Sequence, residues 1–300
     1  MILVVVVLLA VCIGIPLAYA WRIWRLSERS RIAWLLVIAD SAVFVALVML
    51  VGRWDIAGYY IRFVLLALLA VAVALSRLRH ASLPWLPADG ASVWRQHWPT
   101  AGSLALFGAA LVYVLLGLRT PADTRNLAFP LQGGTFFVGQ GGGIALLNHH
   151  ASHREQRYAA DITAIGPAGF RASGILPSEV DRYEIYDDAV VSPCEATVLA
   201  AVDGLPDLPP PERDGDNAAG NHVVLDCGDI EVEIAHLRQG SVAVETGDTL
   251  SVGEPIGRVG NSGNTTEPHL HIHAVDPQTR DGVAVTFDGR FPARNRIYRN

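Results

Sequence analysis

The sequence predicts a multi-domain protein in which an N-terminal four-helix transmembrane region precedes a mainly β domain built on an antiparallel sheet. Three observations predict this division: long apolar stretches lie within residues 1–119, short apolar runs between turn residues fill residues 120–300, and the charge changes sign between the two. The first part carries 10 Arg and 4 acidic residues, whereas the second carries 13 Arg and 25 acidic residues. The net charge of −6 therefore combines a basic part with an acidic part.

The composition excludes several classes of protein. A hydrophobic fraction of 51% excludes a disordered chain, 28 Gly and 17 Pro exclude a coiled coil, and 3 Cys are too few for a small disulfide scaffold. Nucleic-acid-binding domains carry basic surfaces, and the β-rich part of this chain is acidic. We therefore expect no nucleic-acid partner.

Four apolar stretches have the length of membrane spans. They cover about residues 1–21, 32–52, 56–76 and 96–118. About 20 helical residues cross a hydrocarbon core of about 30 Å, so each stretch is long enough. The first stretch also resembles a signal peptide ending at Ala18-Tyr19-Ala20, but signal peptides carry their positive charge before the apolar run, and here the Arg residues follow it. We expect a retained span.

The Arg residues of the loops predict the orientation of these spans. Four Arg lie between the first and second spans and three between the third and fourth, whereas the loop at residues 53–55 is nearly neutral. Because cytoplasmic loops collect cations, both termini are expected outside the cytoplasm. Two charged residues fall within the spans; Asp40 is expected to form hydrogen bonds inside the bundle, and Arg62 is expected to extend toward the membrane surface.

The second part reads as a short linker, residues 120–132, followed by one domain, residues 133–300. Its predicted strands are Thr135–Val138, Ile144–Leu147, Ala196–Val202, His222–Cys227, Ile230–Leu237 and His269–Val275. The Pro-rich segment Pro206–Gly220 is predicted to be a long surface loop. Cys194 and Cys227, each at the edge of a predicted strand, are expected to form a disulfide in an oxidising compartment.

Histidines cluster in this domain, which holds eight of the ten in the chain. Alternate residues of a strand share a face, so His269, His271 and His273 are expected on one face at intervals of about 7 Å. His236, predicted on the same face as Ile234, ends another strand and can reach a shared site. Catalytic zinc takes three protein ligands from His, Asp or Glu and keeps one open position, and Asp161 is the best carboxylate candidate.

Three segments resemble the lysostaphin/LytM-type zinc metallopeptidases: GEPIGRVGNSG at Gly253–Gly263, EPHLHI at Glu267–Ile272, and IAHL at Ile234–Leu237. The resemblance implies a membrane-anchored, Zn²⁺-dependent endopeptidase that cleaves peptide cross-links of peptidoglycan, outside the cytoplasmic membrane of a bacterium. It also implies that Asp161 and His271 bind zinc, while His236 and His269 assist catalysis.

The chain departs from the family at one ligand position. The family usually has a His four residues before the Asp ligand, where this chain has Arg157. We expect His150 to replace it, on a short hairpin, with His149 as the close alternative and His153 as the third. Some members of the family have lost ligands and regulate other cell-wall hydrolases, so a weakly active or inactive binding module is the alternative function.

Overall fold

The computed structural model describes residues 2–88 and 92–300 and divides into two compact units, Met1–Leu115 and Leu116–Asn300. Met1, the first residue of the first predicted span, lies outside the described residues. Each unit is described by itself.

The first unit contains the four apolar helices that the sequence predicts, and this prediction is confirmed. The bounds of its helices are Ile2–Leu9 (α1), Ile15–Trp24 (α2), Arg31–Val51 (α3), Trp54–Ala57 (α4), Ile61–His80 (α5) and Val93–Gly117 (α6), with a π-helical turn at Ala10–Gly14 joining α1 to α2. Among the described residues, four helical segments are long and apolar enough to cross a membrane: Leu3–Trp24, Arg31–Val51, Ile61–His80 and Val93–Gly117.

The charged residues within these helices contact neighbours in the bundle. Asp40 is almost completely buried; one of its oxygens accepts a hydrogen bond from Ser103 Oγ at 2.6 Å, and the other lies 3.4 Å from the guanidinium of Arg22. The guanidinium of Arg62 lies over the ring of Tyr59, 4.1 Å from its centroid. A buried carboxylate in an apolar bundle needs such partners, and here they tie together α2, α3 and α6.

The second unit is a mainly antiparallel β domain, as the sequence predicts. Its strands are Thr124–Leu127 (β1), Thr135–Gln140 (β2), Ala160–Ala164 (β3), Ala189–Val191 (β4), Ala196–Val202 (β5), Asn221–Asp226 (β6), Glu231–Leu237 (β7), Thr249–Leu250 (β8), Pro255–Arg258 (β9), Leu270–Val275 (β10), Gly282–Phe287 (β11) and Ile297–Arg299 (β12). The large sheet has the order β12-β2-β3-β10-β7-β6-β5-β8, β11 pairs with both β10 and β1, and β4 pairs with β9 in a separate small sheet.

Strand β10 lies between β3 and β7, and every one of its residues is buried. Its alternate residues Leu270 and Ile272 enter the apolar core, where Ile234 of β7 faces Ile272. On the opposite face, His271 lies across from Asp161 of β3. The pleat of the sheet therefore separates an apolar face from a face that carries the histidines.

Two predictions about local structure differ from the observed fold. The predicted strand Ile144–Leu147 is wrong, because the amides of Leu147 and Asn148 both donate to the carbonyl of Ile144 and close a turn. Its run of apolar residues suggested a buried strand, but only Leu147 is buried, and Leu146 is 45% exposed. The segment 120–132, predicted as a linker, carries β1, which pairs in parallel with β11.

Cys194 and Cys227 form a disulfide, as the sequence predicts, closing a loop with a sequence separation of 33 residues. Cross-linking a loop of this length stabilises a fold by about 3–4 kcal/mol, mainly by restricting the unfolded chain. We expect Cys194→Ala together with Cys227→Ala to lower the free energy of unfolding of this domain by that amount. Urea unfolding of the purified chain measures the effect, and a reducing agent should destabilise the unaltered protein but leave the double variant unchanged.

A half-buried carboxyl near β4 is expected to make stability depend on pH. Burial raises the pKa of Asp188 to about 6, and the carboxylates of Asp187 and Glu184 add to the shift. The folded-state pKa lies above the unfolded value, so folding is opposed increasingly as the pH rises from about 4 to about 6. Two pKa units correspond to about 3 kcal/mol, which partial exposure reduces to about 1 kcal/mol.

We therefore expect Asp188→Asn to stabilise the domain at pH 8 and to have little effect at pH 4. Thermal unfolding of the chain in detergent at the two pH values measures this difference. The exposed Asp181, changed in the same way, is the control. An equal change at both pH values would contradict the assignment.

Candidate metal centre

The centre of the site is a carboxylate between two imidazoles. Asp161 and His271 are register partners on β3 and β10, so their side chains leave the sheet on the same face. Asp161 Oδ1 lies 2.9 Å from His271 Nδ1, and both residues are buried. The antiparallel pairing alone places these two predicted ligands in contact.

The second imidazole that contacts Asp161 comes from the turn that precedes β3. Asn148 is fully buried; its side-chain amide donates to the carbonyls of Ala159 at 2.9 Å and Gly142 at 3.2 Å, while its oxygen accepts from the amide of His150 at 3.1 Å. These bonds fasten the short 3₁₀ helix His149–Ser152 to the start of β3. As a result, His150 Nε2 lies 3.0 Å from Asp161 Oδ1 and 3.1 Å from Oδ2. The structure places His150 beside Asp161 by a capped turn rather than by the predicted hairpin.

The other candidates for this ligand lie farther out. The side chain of His149 is 60% exposed, and its Nδ1 lies 4.0 Å from Asp161 Oδ2. His153 is exposed, as is Arg157, whose guanidinium lies over the ring of Tyr158 at 5.3 Å. Of the three histidines considered, His150 therefore makes the shortest contact with the carboxylate.

His236 reaches the site because β7 is irregular. Strict alternation, which the sequence predicts, would place His236 on the same face as Ile234, and Ile234 lies in the apolar core. Instead, β7 contains a bulge in which Ala235 and His236 lie opposite the single residue His222, and His236 has a φ of +64°. This left-handed conformation is rare for a residue with a side chain, and bulges and strained residues concentrate at functional sites. The ring of His236 lies 4.9 Å from that of His269.

Backbone carbonyls determine which nitrogen of each of these two imidazoles faces the site. His236 Nδ1 lies 2.9 Å from the carbonyl oxygen of Ser262, and His269 Nδ1 lies 2.9 Å from that of Glu267. A carbonyl only accepts, so each Nδ1 carries the proton and each neutral ring keeps a lone pair on Nε2. His269 Nε2 is directed into the site, 3.6 Å from Asp161 Oδ1.

A buried ion pair holds the loop that orients His269. The guanidinium of Arg171, with a side chain only 3% exposed, donates to Glu267 Oε2 through Nε at 2.9 Å and through Nη2 at 2.5 Å. Thr265 Oγ1 also donates to the carbonyl of Glu267, at 2.7 Å. Glu267 is therefore held at its carboxylate by Arg171 and at its carbonyl by the hydroxyl of Thr265, and this carbonyl orients His269.

The turn at residues 260–263, which precedes β10, orients His236 because it carries the Ser262 carbonyl. The long loop Pro206–Gly220, in which we find neither helix nor strand, packs against this turn, and the side-chain amide of Asn261 donates to the carbonyl of Leu208 at 2.6 Å. Gly220 has a φ of +62°, and a Cβ there would lie 2.3 Å from the Ser262 oxygen that binds His236. Only glycine permits this close approach.

The charges of the cluster suit a divalent cation. The pKa of the Asp161 carboxyl lies well below its usual range, because burial, which opposes ionisation, is outweighed by attraction to His269 and by hydrogen bonds from His150 and His271. Burial, with repulsion from His269 and His271, holds the pKa of His236 well below its usual range. At neutral pH the cluster therefore offers an ionised carboxylate and, at His236, a neutral imidazole. The pKa of His150 is raised, because the effect of burial is outweighed by its contact with Asp161, so binding of a metal there would release a proton.

The donor atoms also fit zinc by distance. Ligands bound at about 2.0–2.1 Å in a tetrahedron lie about 3.3 Å apart, close to the separations of 2.9 and 3.0 Å between Asp161 Oδ1 and the nitrogens of His271 and His150. Among the described residues, two sets of three donors lie within 4.8 Å of one another: His149, His150 and Asp161, and His236, His269 and His271. The predicted ligands and the predicted catalytic histidines thus form one continuous cluster.

Three features of the site were missed by sequence reasoning. The Ser262 carbonyl belongs to the segment Gly253–Gly263, for which the sequence predicted no role in the site. The Arg171–Glu267 pair joins residues distant in the chain, and the bulge at His236 breaks the alternation that the sequence suggests. The dipeptide Gly220-Asn221 was the available signal, because Asn221 accompanies the glycine by donating to the Leu237 carbonyl at 3.0 Å.

Part of the β domain matches a known protein family. Residues 187–284 match the family described as Peptidase family M23. No protein with a curated description matches the chain.

Several solved structures are similar to parts of the chain. A zinc containing peptidase from Vibrio cholerae is 17% identical, over 55% of this chain and 39% of that one, with a TM-score of 0.33. Lysostaphin from Staphylococcus simulans is 24% identical, over 30% of this chain and 36% of that one, with a TM-score of 0.18. The SpoIIQ–SpoIIIAH pore forming complex is 16% identical, over 54% and 89%, with a TM-score of 0.30. The matched region covers less than half of the Vibrio cholerae peptidase and less than half of lysostaphin.

Proposed function

We propose that this protein is a zinc-dependent metalloendopeptidase that hydrolyses peptide cross-links of peptidoglycan. The match of residues 187–284 to Peptidase family M23 supports this proposal. The observation that carries the proposal is the contact of Asp161 with His150 and His271, which gives three convergent donors of the types that catalytic zinc prefers. Two further imidazoles, His236 and His269, lie beside these donors with their Nε2 lone pairs free for chemistry.

His150 Nε2, Asp161 and His271 Nδ1 are the proposed zinc ligands. When bound, zinc supplies Lewis acidity, which polarises the scissile carbonyl and acidifies water. His269 and His236 then act on the proton of the attacking water, since each ring can accept a proton at Nε2 while its Nδ1–H remains bonded to a carbonyl. After protonation, the same Nε2–H groups can donate to the oxyanion or to the leaving amine.

The domain is proposed to act at the outer side of a bacterial cytoplasmic membrane, to which the four apolar helices anchor it. The Arg-rich loops of the helical unit support this orientation. The disulfide between Cys194 and Cys227 supports it independently, because disulfides persist in oxidising compartments.

A regulatory binding module without activity is the second candidate, and it is favoured by Arg157 at the usual ligand position. The position of His150 beside Asp161 favours the enzyme, because the chain supplies the missing imidazole from another segment. The two candidates differ in whether the protein, with zinc bound, hydrolyses peptidoglycan.

The test uses the full chain purified in detergent. Zinc content is measured, and cross-linked peptidoglycan is digested with the protein as isolated, after chelation, and after zinc is added back. We expect about one zinc per chain, release of un-cross-linked peptides, loss of release on chelation, and recovery with zinc. Release that survives chelation would overturn the metalloenzyme, and bound zinc without release would favour the binding module.

A further inference from the structure

His273 contacts the proposed zinc ligand His271 at the ring nitrogen that is directed away from Asp161. It is the second histidine of β10, on the face opposite the apolar core, and its Nδ1 lies 3.1 Å from Nε2 of His271. Both imidazoles are buried, with 4% of His271 and 5% of His273 exposed. The contact is therefore shielded from water, where a hydrogen bond contributes more than at a surface.

The two nitrogens of His271 face different partners. Nδ1 lies 2.9 Å from Asp161 Oδ1 and is the nitrogen directed into the metal cluster, whereas Nε2 is directed at His273. An imidazole that binds a metal through Nδ1 as a neutral ligand carries its proton on Nε2. That proton needs an acceptor, since a buried N–H without a partner costs about 1–3 kcal/mol.

His273 Nδ1 is correctly placed to be this acceptor. To accept, Nδ1 must hold a lone pair, so the proton of neutral His273 is on its Nε2. The pair then has one consistent arrangement of hydrogens: His271 Nε2–H donates to His273 Nδ1, and His271 Nδ1 keeps its lone pair for the metal.

We propose that His273 is a positioning residue that fixes the ring orientation and the tautomer of His271 for zinc binding. The inference rests on the proposed function, because it assigns His271 as a ligand. Partners that accept from the second nitrogen of a metal-bound His raise its basicity, and their loss typically weakens metal binding by about 10–100-fold. The role belongs to this chain's own sequence, His271-Ile272-His273, where the strand period returns a second imidazole to the face of the first.

The test compares two substitutions of different chemistry. His273→Leu fills the space without an acceptor, whereas His273→Gln retains one in its side-chain carbonyl. Zinc affinity of the full chain in detergent is measured by competition with a chelating dye. We expect the dissociation constant for zinc to rise about 10–100-fold in His273→Leu and to recover to within about fivefold of the unaltered protein in His273→Gln.

Two controls separate positioning from general damage. His153→Leu removes an exposed histidine outside these contacts and should leave zinc affinity unchanged. Thermal unfolding in the presence of chelator reports the stability of each metal-free variant, and the Leu and Gln variants should unfold at similar temperatures although their zinc affinities differ.

The outcomes are distinct. Equal zinc affinities in His273→Leu and His273→Gln, or an unchanged affinity in His273→Leu, would overturn the positioning role and leave the proposed function intact. Absence of zinc binding in the unaltered protein would overturn the proposed function itself.

Discussion

Replacing Asp161 with Asn is expected to remove zinc from the protein and to abolish hydrolysis of peptidoglycan. Asp161 is the one carboxylate of the cluster, and its Oδ1 contacts the donor nitrogens of both His150 and His271. Asn has nearly the same shape but carries no charge, so it loses the attraction to a dication that ionised Asp161 provides. We expect the dissociation constant for zinc to rise by more than about 100-fold. This is more than the effect expected when the residue that hydrogen-bonds to a ligand is lost and the ligand itself remains.

The measurement is zinc content after dialysis, together with release of peptides from cross-linked peptidoglycan. Asp226→Asn is the matched control, because Asp226 also lies in a strand of the large sheet but is exposed. An Asp161→Asn protein that retains zinc would show that the metal is held by the other donors, His236, His269 and His271.

The parts of the site that sequence could predict follow from strict local periodicity. His271 is on a strand that the sequence predicts, so alternation determines the face of its side chain, and the buried pattern of β10 is readable in Leu270 and Ile272. Asp161 was predicted differently, as the best carboxylate candidate and through the family resemblance, because strand β3 was not among the predicted strands. The apolar helices were equally predictable, because about 20 apolar residues in succession have few alternative structures. In both cases the information lies within a short stretch of chain.

The remaining parts depend on contacts between distant segments or on broken periodicity. His236 was predicted at the site for a reason that differs from the observed one, since alternation directs it to the core and a bulge returns it to the site. Similarly, the choice among His149, His150 and His153 depends on Asn148, whose side chain fastens the turn to the carbonyl of Ala159. No pattern of hydrophobicity encodes a hydrogen bond of this kind.

The second large effect is expected at the histidines that the proposal does not assign to the metal. His269→Ala should lower kcat by about 10²–10⁴-fold, the usual contribution of general acid–base catalysis, while zinc content stays near that of the unaltered protein. The physical reason is the position of His269 Nε2, which lies 3.6 Å from Asp161 Oδ1, farther than the nitrogens of His271 at 2.9 Å and His150 at 3.0 Å.

His236 should behave in the same way, but its backbone requires a different substitution. Its φ of +64° is tolerated by Asn better than by most residues, so His236→Asn removes the imidazole with less risk of disturbing the bulge. His222→Asn is the control, because His222 lies opposite that bulge on β6 and its ring contacts the carbonyl of Gly220 rather than Asp161.

These variants distinguish ligands from catalytic groups by two independent measurements, zinc content and hydrolysis of peptidoglycan. A ligand variant loses zinc and hydrolysis together, whereas a catalytic variant loses hydrolysis and keeps zinc. If His269→Ala lost its zinc, His269 would have to be reassigned as a ligand, which its distance of 3.6 Å from Asp161 permits only after a small movement. If His269→Ala and His236→Asn both kept zinc and full hydrolysis, the proton-transfer role proposed for the two Nε2 atoms would be wrong. The test is sharp because both rings are fixed through Nδ1 to carbonyls, which leaves each of them a single nitrogen for the reaction.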